Sequence, residues 1–407
     1  MREILPELGR WYAARKPFAL ATVVAVDRSA PRDPGAAMAV GPDDEVVGSV
    51  SGGCVEAAVF ELAREVTASG EARLETFGYT DEDAFAVGLT CGGEITVLVR
   101  PVAPETDPTF GAVVRSVAAR EPVTVATVVD GDAPRGAVLA VWPGTVGGVS
   151  GVSAPGAVGG VSGGFDTSGV PGTVGSVGTA SSFGTLGTLG TTGLDAAVTA
   201  DARGELALGA TGLRHYGPHG ERREDSVTVF LHSFAPPPRM LVFGAIDYAA
   251  AVARIGDFLG YRVTVCDARP VFATPKRFPG GVEVVVDWPH RYLAGTDTDA
   301  RTVICVLTHD PKFDVPLLVE ALRRPAAYIG AMGSRRTHHD RMRRLLESGL
   351  DEGELARLRS PIGLDLGART PQEVAVSVAA EIVALRWSGT GMPLTGVSGA
   401  IHRAAPG

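Results

Sequence analysis

Apolar residues in segment 46–70 change from a strand-like to a helix-like arrangement across a run of glycine. Val46 and Val47 form a short apolar stretch, Gly-Ser-Val-Ser-Gly-Gly follows, and apolar side chains then recur at helical spacing from 55 to 66. Charged residues at 61, 64 and 65 take the other side of this helix. The pattern predicts a strand, a glycine turn and an amphipathic helix that begins at Cys54 and ends at Gly70.

The alternating apolar stretch 18–26 predicts a β-strand, and part of its surroundings recurs later in the chain. Ala21–Val24 has the same sequence as Ala126–Val129, and Ala30–Arg32 has the same sequence as Ala133–Arg135. This partial internal repeat predicts two related β-rich halves packed together, which form an N-terminal α+β domain from residues 1–142 and 195–235.

After the second copy of the repeat, residues 143–194 consist almost entirely of Gly, Ser, Thr and Val with very little charge. A segment of this composition buries too little apolar surface to offset the entropy lost on ordering. We therefore expect 143–194 to be a disordered insertion.

After the proline run 236–238 the pattern changes to apolar strands alternating with amphipathic helices. Strands are predicted at 240–243, 262–266, 282–286, 303–307 and 327–329, and helices at 249–259, about 315–323, 335–347 and 371–386. This βαβ succession predicts an α/β fold, with residues 236–407 forming a Rossmann-like, doubly wound parallel sheet.

Composition narrows the function classes. The chain has 407 residues, enough for two domains, and a net charge of −9, which argues against nucleic acid or an anionic membrane as the main partner. Four cysteines are too few for a disulfide framework and favour a reducing, cytoplasmic compartment. No apolar run is long enough to span a bilayer, and the acidic residues Glu3 and Glu7 argue against a signal peptide in the first segment.

The first candidate chemistry is a pair of Cys-Gly-Gly elements. Cys54 follows Gly52 and Gly53 at the predicted helix start, where unpaired backbone N–H groups and the helix dipole favour a thiolate. Cys91 precedes Gly92 and Gly93. The two thiols either form a disulfide, bind a soft metal together or flank a cofactor, and no tetrahedral zinc pattern accompanies them. The alternative for Cys54 is a small apolar packing residue.

In the second domain, Gly244 after a strand and Asp267 about 20 residues later resemble the dinucleotide fingerprint in which the acid binds a ribose hydroxyl. The fit is incomplete, because Ile246 and Ala249 stand at the other two glycine positions. NAD(P) binding and a role confined to the fold therefore both remain open.

Two loops at predicted strand ends carry further polar groups. The sequence from Gly330 through Gly333, Ser334 and Arg335 to Arg336 offers backbone N–H groups and guanidinium groups to a phosphate, although a plain helix start with solvated arginines has the same pattern. His309 and Asp310 follow the strand 303–307 at the edge where ligands bind in such sheets. They either contact a ligand there or form only a local hydrogen bond with each other. Cys266 and Cys305 lie in apolar strands and are expected in the core.

Together these motifs resemble the XdhC/CoxI family, accessory factors of molybdenum hydroxylases such as xanthine dehydrogenase and carbon monoxide dehydrogenase. The similarity spans nearly the whole chain outside the insertion. The motifs that carry it are Ser51–Glu56, Thr90–Glu94, Leu307–Lys312, Tyr328–Arg335 and Gly363–Gly367.

The resemblance implies a chaperone rather than an enzyme with turnover. Such a protein binds the molybdenum cofactor, a molybdopterin in either its simple or its nucleotide form, protects it during sulfuration by a cysteine desulfurase or sulfurtransferase, and delivers it to an apo molybdenum hydroxylase. The resemblance also implies a homodimer, metal contact by Cys54 and Cys91, and cofactor contact by Glu56 and the neighbouring glycines. An NAD(P)-dependent oxidoreductase is the runner-up, and a scaffold that only brings the sulfurtransferase to the hydroxylase is the third hypothesis.

Overall fold

The structure is a computed structural model, and it describes residues 1–27, 32–78, 93–144, 184–278 and 280–398. Each half of the N-terminal domain contains one five-stranded antiparallel sheet, and the C-terminal domain contains one six-stranded parallel sheet. The predicted fold class is therefore confirmed.

The first half of the N-terminal domain begins with a helix and continues with a sheet whose spatial order is β3-β2-β1-β5-β4. The elements are α1 (Leu5–Ala13), β1 (Phe18–Asp27), β2 (Ala37–Val40), β3 (Val46–Gly48), α2 (Glu56–Ser69), β4 (Arg73–Phe77) and β5 (Glu94–Val102). Helix α2 buries Val59, Ala63 and Val66 against one face of this sheet. Gly70 ends the helix in the left-handed conformation, as its position predicts.

The second half repeats this arrangement in the order β8-β7-β6-β10-β9. Its elements are α3 (Pro108–Ala118), β6 (Val123–Gly131), β7 (Val138–Val141), β8 (Thr185–Gly187), α4 (Thr192–Leu208), β9 (Thr211–Tyr216) and β10 (Val227–Phe234). Apolar side chains of the two sheets share a small cluster formed by Val24, Leu98, Val129 and Phe230. The internal repeat predicted from the sequence is thus a repeat of strand order as well.

The prediction of a disordered insertion is wrong for residues 184–194. Strand β8 pairs with β7, and the backbone N–H of Trp142 donates to the Gly184 carbonyl at 2.8 Å. Leu189 and Leu194 are fully buried. Composition misled here because a few apolar residues, spaced to reach the core, are enough to order a segment rich in glycine and threonine. Residues 145–183 lie outside the described part of the chain.

The C-terminal sheet has the order β13-β12-β11-β14-β15-β16, with every pair parallel. This is the strand order of a dinucleotide-binding Rossmann fold. Its strands are β11 (Arg239–Phe243), β12 (Arg262–Cys266), β13 (Glu283–Val285), β14 (Val303–Val306), β15 (Tyr328–Ala331) and β16 (Leu358–Arg359). Its helices are α5 (Asp247–Phe258), α6 (Pro289–Ala294), α7 (Pro311–Leu322), α8 (Arg335–Glu347), α9 (Glu352–Leu355) and α10 (Pro371–Arg386).

The cores on the two faces of this sheet bury both strand cysteines. Cys305 belongs to the cluster under α5 and α10, and Cys266 to the cluster under α7 and α8. Burial raises the pKa of each thiol to about 12. The prediction that they are core residues is confirmed. Within the described ranges, no helix is both long and apolar enough to cross a membrane.

Candidate functional site

The loop Gly48–Val55 joins β3 to α2 and carries the first Cys-Gly-Gly element. Gly52 and Gly53 are exposed and have φ angles of 79° and 121°, which residues other than glycine rarely adopt. A Cβ atom built on either glycine would meet no atom within 4 Å. The two glycines therefore give the loop its shape and leave open space beside it, as expected for a surface that receives a ligand.

The carboxylate of Glu56 holds this loop. One Glu56 oxygen accepts from the Ser49 hydroxyl at 2.6 Å and from the backbone N–H groups of Ser51 and Gly52 at 2.9 Å. The other accepts from the Ser51 hydroxyl at 2.5 Å and the Gly53 N–H at 2.8 Å. Burial opposes ionisation, but the hydroxyl and backbone hydrogen bonds outweigh it and lower the pKa of Glu56 to about 2. Glu56 is thus an internal anion that shapes the loop, a role the sequence alone does not reveal.

Cys54 stands beside this network, half-buried at the margin of the apolar cluster under α2. Its backbone N–H donates to the Ser51 hydroxyl oxygen at 3.0 Å. Helix α2 begins at Glu56, so the prediction that the helix begins at Cys54 is wrong by two residues. The reason is local: Gly52 and Gly53 have positive φ, and Val55, directly before the helix, has a φ of −121°, so the backbone becomes helical only at Glu56.

The partner element lies mostly outside the described residues, which exclude Cys91 and Gly92. Gly93 is described and is buried directly before β5. The predicted pairing of Cys54 with Cys91, whether around a metal or a cofactor, therefore stays a prediction. Among the described residues, no group of three or more His, Cys, Asp or Glu side chains is placed to hold a metal ion.

The second half of the domain contains a second copy of the loop. When Gly48 is aligned with Gly187, Val50 falls on Leu189 and Val55 on Leu194, and all of these apolar side chains are fully buried. Glu56 falls on Asp195, whose carboxylate accepts from the Thr188 hydroxyl and the Leu189 N–H, each at 2.7 Å.

The two copies differ where the thiol stands. Gly193 occupies the position of Cys54, and a Cβ atom there would lie 2.2 Å from the His219 carbonyl oxygen. No side chain fits at that point without movement of the turn at His219. Of the two aligned loops, only the first therefore combines a thiol with open space, which separates a candidate site from a structural copy of it.

At the carboxyl edge of the Rossmann sheet, Gly244 has a φ of 107° and approaches Thr308 so closely that a Cβ atom would lie 3.1 Å from the Thr308 nitrogen. Asp267 accepts from the Ala245 N–H at 2.7 Å and from the Arg269 guanidinium at 2.8 and 2.9 Å. Burial opposes ionisation, but the bonds from Arg269 and Ala245 lower the pKa of Asp267. Both carboxylate oxygens of Asp267, the residue predicted to bind a ribose hydroxyl, thus already accept hydrogen bonds from within the protein.

The loop that could bind an anion is shorter in the structure than the sequence motif Gly330–Arg336, because strand β15 and helix α8 include both ends of the motif. Gly330 lies inside β15, where a Cβ atom would come within 2.6 Å of Ile362, so this glycine makes room for packing. Gly333 has a φ of 157°, and Ser334 is the N-cap of α8, with its hydroxyl accepting from the Thr337 N–H. Arg335 and Arg336 follow on the exposed side of the first helical turn, with their charges accessible to a ligand.

His309 and Asp310 do not form the local pair that their spacing suggested. His309 is exposed. Asp310 is the N-cap of α7, where it accepts from the Lys312 N–H at 3.1 Å and pairs with the Lys312 ammonium at 2.9 Å. The structure records no hydrogen bond between the two described side chains.

Sequence reasoning missed a buried ion pair beneath this edge. Arg341 and Asp314 are both almost fully buried and lie 3.1 Å apart. Arg341 also donates to the Met332 carbonyl at 2.7 Å and the Ser360 hydroxyl at 2.9 Å, and the Thr308 hydroxyl donates to Asp314. Burial raises the pKa of Asp314 despite these bonds. The pair ties together the loops that follow β14, β15 and β16, and Asp314 lies just after the Leu307–Lys312 motif, which does not itself indicate the pair.

The carboxyl edge does not face the N-terminal domain. The cleft between the domains is lined by Arg239 and Arg262, the first residues of β11 and β12, and by Arg301 just before β14. The amino edge of the parallel sheet therefore faces the first domain. The anion loop and Gly244 lie at the opposite edge.

Parts of this chain are similar to proteins from Escherichia coli and Bacillus subtilis. The chain is 31% identical over 153 residues to the molybdenum cofactor insertion chaperone PaoD of Escherichia coli, covering 38% of this chain and 42% of that protein. It is 29% identical over 163 residues to a probable subunit of xanthine dehydrogenase from Bacillus subtilis, covering 40% and 47%. It is 30% identical over 166 residues to the uncharacterized protein YqeB of E. coli, covering 40% and 30%. The matches thus span less than half of each curated relative.

A solved structure described as a xanthine dehydrogenase from Bacillus halodurans superposes with a TM-score of 0.59 at 22% identity, over 94% of this chain and 95% of that one. This likeness shows a shared fold. A family model described as the XdhC Rossmann domain matches residues 240–382, and one described as the XdhC and CoxI family matches residues 11–78. The two matches fall in order on the two domains, and the chain belongs to the XdhC and CoxI family.

Proposed function

We propose that this protein binds the molybdenum cofactor, holds it while it is sulfurated and inserts it into a molybdenum hydroxylase of the xanthine dehydrogenase or carbon monoxide dehydrogenase type. The single observation that supports this most is the loop Gly48–Val55, where Cys54 adjoins open space beside Gly52 and Gly53. Membership of the family and the name of the PaoD relative point in the same direction.

The chemistry of the loop fits this cargo. A thiolate is a soft ligand of the kind that sulfur-rich metal centres accept, and two glycines without side chains allow a bulky group to approach the backbone. Glu56 fixes the loop by accepting six hydrogen bonds, from two hydroxyl and four N–H groups. Cys54, together with Cys91 and Gly92 of the second element, would contact the metal end of the cofactor.

The phosphate end needs a different partner. The N–H groups at the start of α8 and the guanidinium groups of Arg335 and Arg336 suit a phosphate. Because these groups lie at the edge of the sheet that faces away from the first domain, we propose that a second copy of the chain completes the site. A homodimer in the cytoplasm, served by a sulfurtransferase and an apo hydroxylase, is the assembly that this proposal describes.

Cofactor content and cofactor transfer test the proposal together. The protein and its Cys54→Ser variant are purified from a host that makes the cofactor, and bound pterin is measured by fluorescence after oxidation. We expect pterin with the unaltered protein, much less with the variant, and activation of an apo hydroxylase by the unaltered protein alone. A protein that carries no pterin and instead saturates with NAD(P)H is an oxidoreductase of the Rossmann type, and the proposal fails.

A scaffold without cargo is the remaining competitor. A protein of that kind binds both the sulfurtransferase and the hydroxylase when Cys54 and Cys91 are replaced by serine, and it still supports activation. We expect the doubly substituted protein to retain its partners and lose activation. Activation by the doubly substituted protein contradicts the cargo role of the thiols.

A further inference from the structure

The cleft between the two domains has a volume of about 980 Å³. This is the upper end of the range for small-molecule sites. Its walls come from α1 and α3 of the first domain, from the proline linker, and from the amino edge of the Rossmann sheet. None of the residues of the thiol loop (Gly48–Val55) or of the anion loop (Gly330–Arg336) lines it.

Positive charge dominates this cleft although the chain as a whole is acidic. Five arginines line it, against the two aspartates Asp257 and Asp299; the arginines are Arg2, Arg120, Arg239, Arg262 and Arg301. Only Arg301 forms an ion pair with a described residue, at 3.1 Å from Asp299. The cleft therefore holds more guanidinium charge than its own carboxylates balance.

Two of these guanidinium groups retain unused donors. The Nε atoms of Arg239 and Arg301 are buried and have no hydrogen-bond partner among the described residues. Arg239 otherwise donates to the Asp297 carbonyl at 2.9 Å, and Arg301 to the Pro236 carbonyl at 3.0 Å. Burial, and then repulsion from Arg301, lowers the pKa of Arg2. Like charges gathered at one place are stabilised by an anion that binds between them.

The apolar part of the lining distinguishes an organic ligand from a bare ion. Val117, Pro237 and Val263 are among its apolar residues, and Tyr261 borders it with only 7% of its surface exposed. Apolar surface beside guanidinium groups is the combination that suits an organic phosphate.

We infer that the cleft between the domains is a second binding site, for a small organic phosphate. The ligand contacts the first domain through Arg120, just after α3, and the Rossmann sheet through Arg262, so its binding fixes the two domains against each other. The inference uses no residue of the thiol loop and stands whether or not the protein carries the molybdenum cofactor.

Calorimetric titration of the full chain at fixed ionic strength tests this site, with inorganic pyrophosphate and cytidine diphosphate as probes. Arg120 and Arg262 are the residues to change, because both are exposed and their loss leaves the core intact. We expect both probes to bind to the unaltered protein, cytidine diphosphate more tightly than pyrophosphate. The Arg120→Ala/Arg262→Ala variant should bind both probes at least tenfold more weakly. The control Arg291→Ala/Arg343→Ala removes the same charge elsewhere and should bind within twofold of the unaltered protein.

A variant that binds the probes more tightly than the unaltered protein cannot be explained by misfolding, so one such variant complements the arginine substitutions. Asp257 lines the cleft and is exposed, so Asp257→Asn removes a like charge from the ligand's surroundings and should tighten binding at least twofold. The inference is overturned if neither probe binds, if Asp257→Asn leaves the affinity unchanged, or if Arg335→Ala/Arg336→Ala abolishes binding while the cleft variant does not.

Discussion

Glu56 and Asp195 stand at equivalent positions in the first turns of α2 and α4, and each carboxylate accepts hydrogen bonds from the loop before its own helix. The two loops share their buried apolar anchors and differ in the residue at the thiol position, which is Cys54 in one and Gly193 in the other. The repeat therefore supplies an internal control for every experiment on the candidate site.

The first prediction compares Glu56→Gln with Asp195→Asn. Each change removes a charge-assisted set of hydrogen bonds and should lower the free energy of unfolding by roughly 1–3 kcal/mol. Only Glu56→Gln should also reduce the pterin bound per chain, because only that loop carries the thiol. Chemical denaturation and pterin fluorescence measure the two effects. Equal cofactor content in the two variants would show that the shape of the first loop does not matter for binding.

The second prediction concerns acid stability. The pKa of Glu56 falls from its usual 4.5 to about 2 in the folded protein, so the carboxylate stabilises the fold at every pH above 4.5. This contribution is lost as the pH falls through that window towards 2. The difference in unfolding free energy between the unaltered protein and Glu56→Gln should shrink steadily from about pH 5 to about pH 2.5. A difference that stays constant over this range would mean that Glu56 does not titrate as the hydrogen bonds require.

The third prediction follows from the contact between Trp142 and Gly184, which brings the two ends of segment 145–183 together. Replacing 145–183 with a short Gly-Ser linker should leave the melting temperature within about 2 °C, because the hairpin of β7 and β8 is retained. Extending the deletion to 192 removes β8 and the start of α4 and should cost several degrees or more. Similar melting temperatures for both deletions would contradict the placement of β8.

The fourth prediction concerns the buried pair Arg341–Asp314. Arg341→Met leaves a buried carboxylate without its partner and should destabilise the fold by about 3–5 kcal/mol. Combining it with Asp314→Leu should recover much of that loss, since replacing both charges avoids the uncompensated one. Arg343→Ala on the same helix breaks an exposed pair with Glu347 and should cost less than about 1 kcal/mol. Denaturant unfolding of these variants gives the comparison, and equal losses for Arg341→Met and Arg343→Ala would refute the role of the buried pair.

Apolar periodicity predicted the Rossmann sheet well because its strands are short runs of buried residues between helices with clear ends. Met240–Phe243 and Val303–Val306 are examples in which every residue is buried, so the pattern has no competing interpretation. The repeat was visible in Ala21–Val24 and Ala126–Val129 for the same reason. Its second loop escaped notice because glycine and threonine obscure the anchors Leu189 and Leu194.

The candidate site was predicted less completely because its contacts depend on tertiary structure. Sequence showed that Gly52 and Gly53 permit unusual backbone conformations, and the structure gives both a positive φ. Sequence did not show that the Glu56 carboxylate turns back to bind that loop, or that Arg341 contacts helix α7 and the loops after β15 and β16 at once. Hydrogen bonds of this kind depend on where a chain folds back, and residue spacing alone does not determine that.

Alkylation of Cys54 is the measurement that tests the central claim most directly. The folded apo-protein is treated with iodoacetamide at about pH 7, and labelling of each cysteine is followed by mass spectrometry. The account predicts that Cys54 reacts far faster than the buried Cys266 and Cys305, that bound molybdenum cofactor protects it, and that Cys54→Ser folds but fails to activate a hydroxylase. Labelling of Cys54 only on unfolding, together with an active hydroxylase from Cys54→Ser, would contradict it.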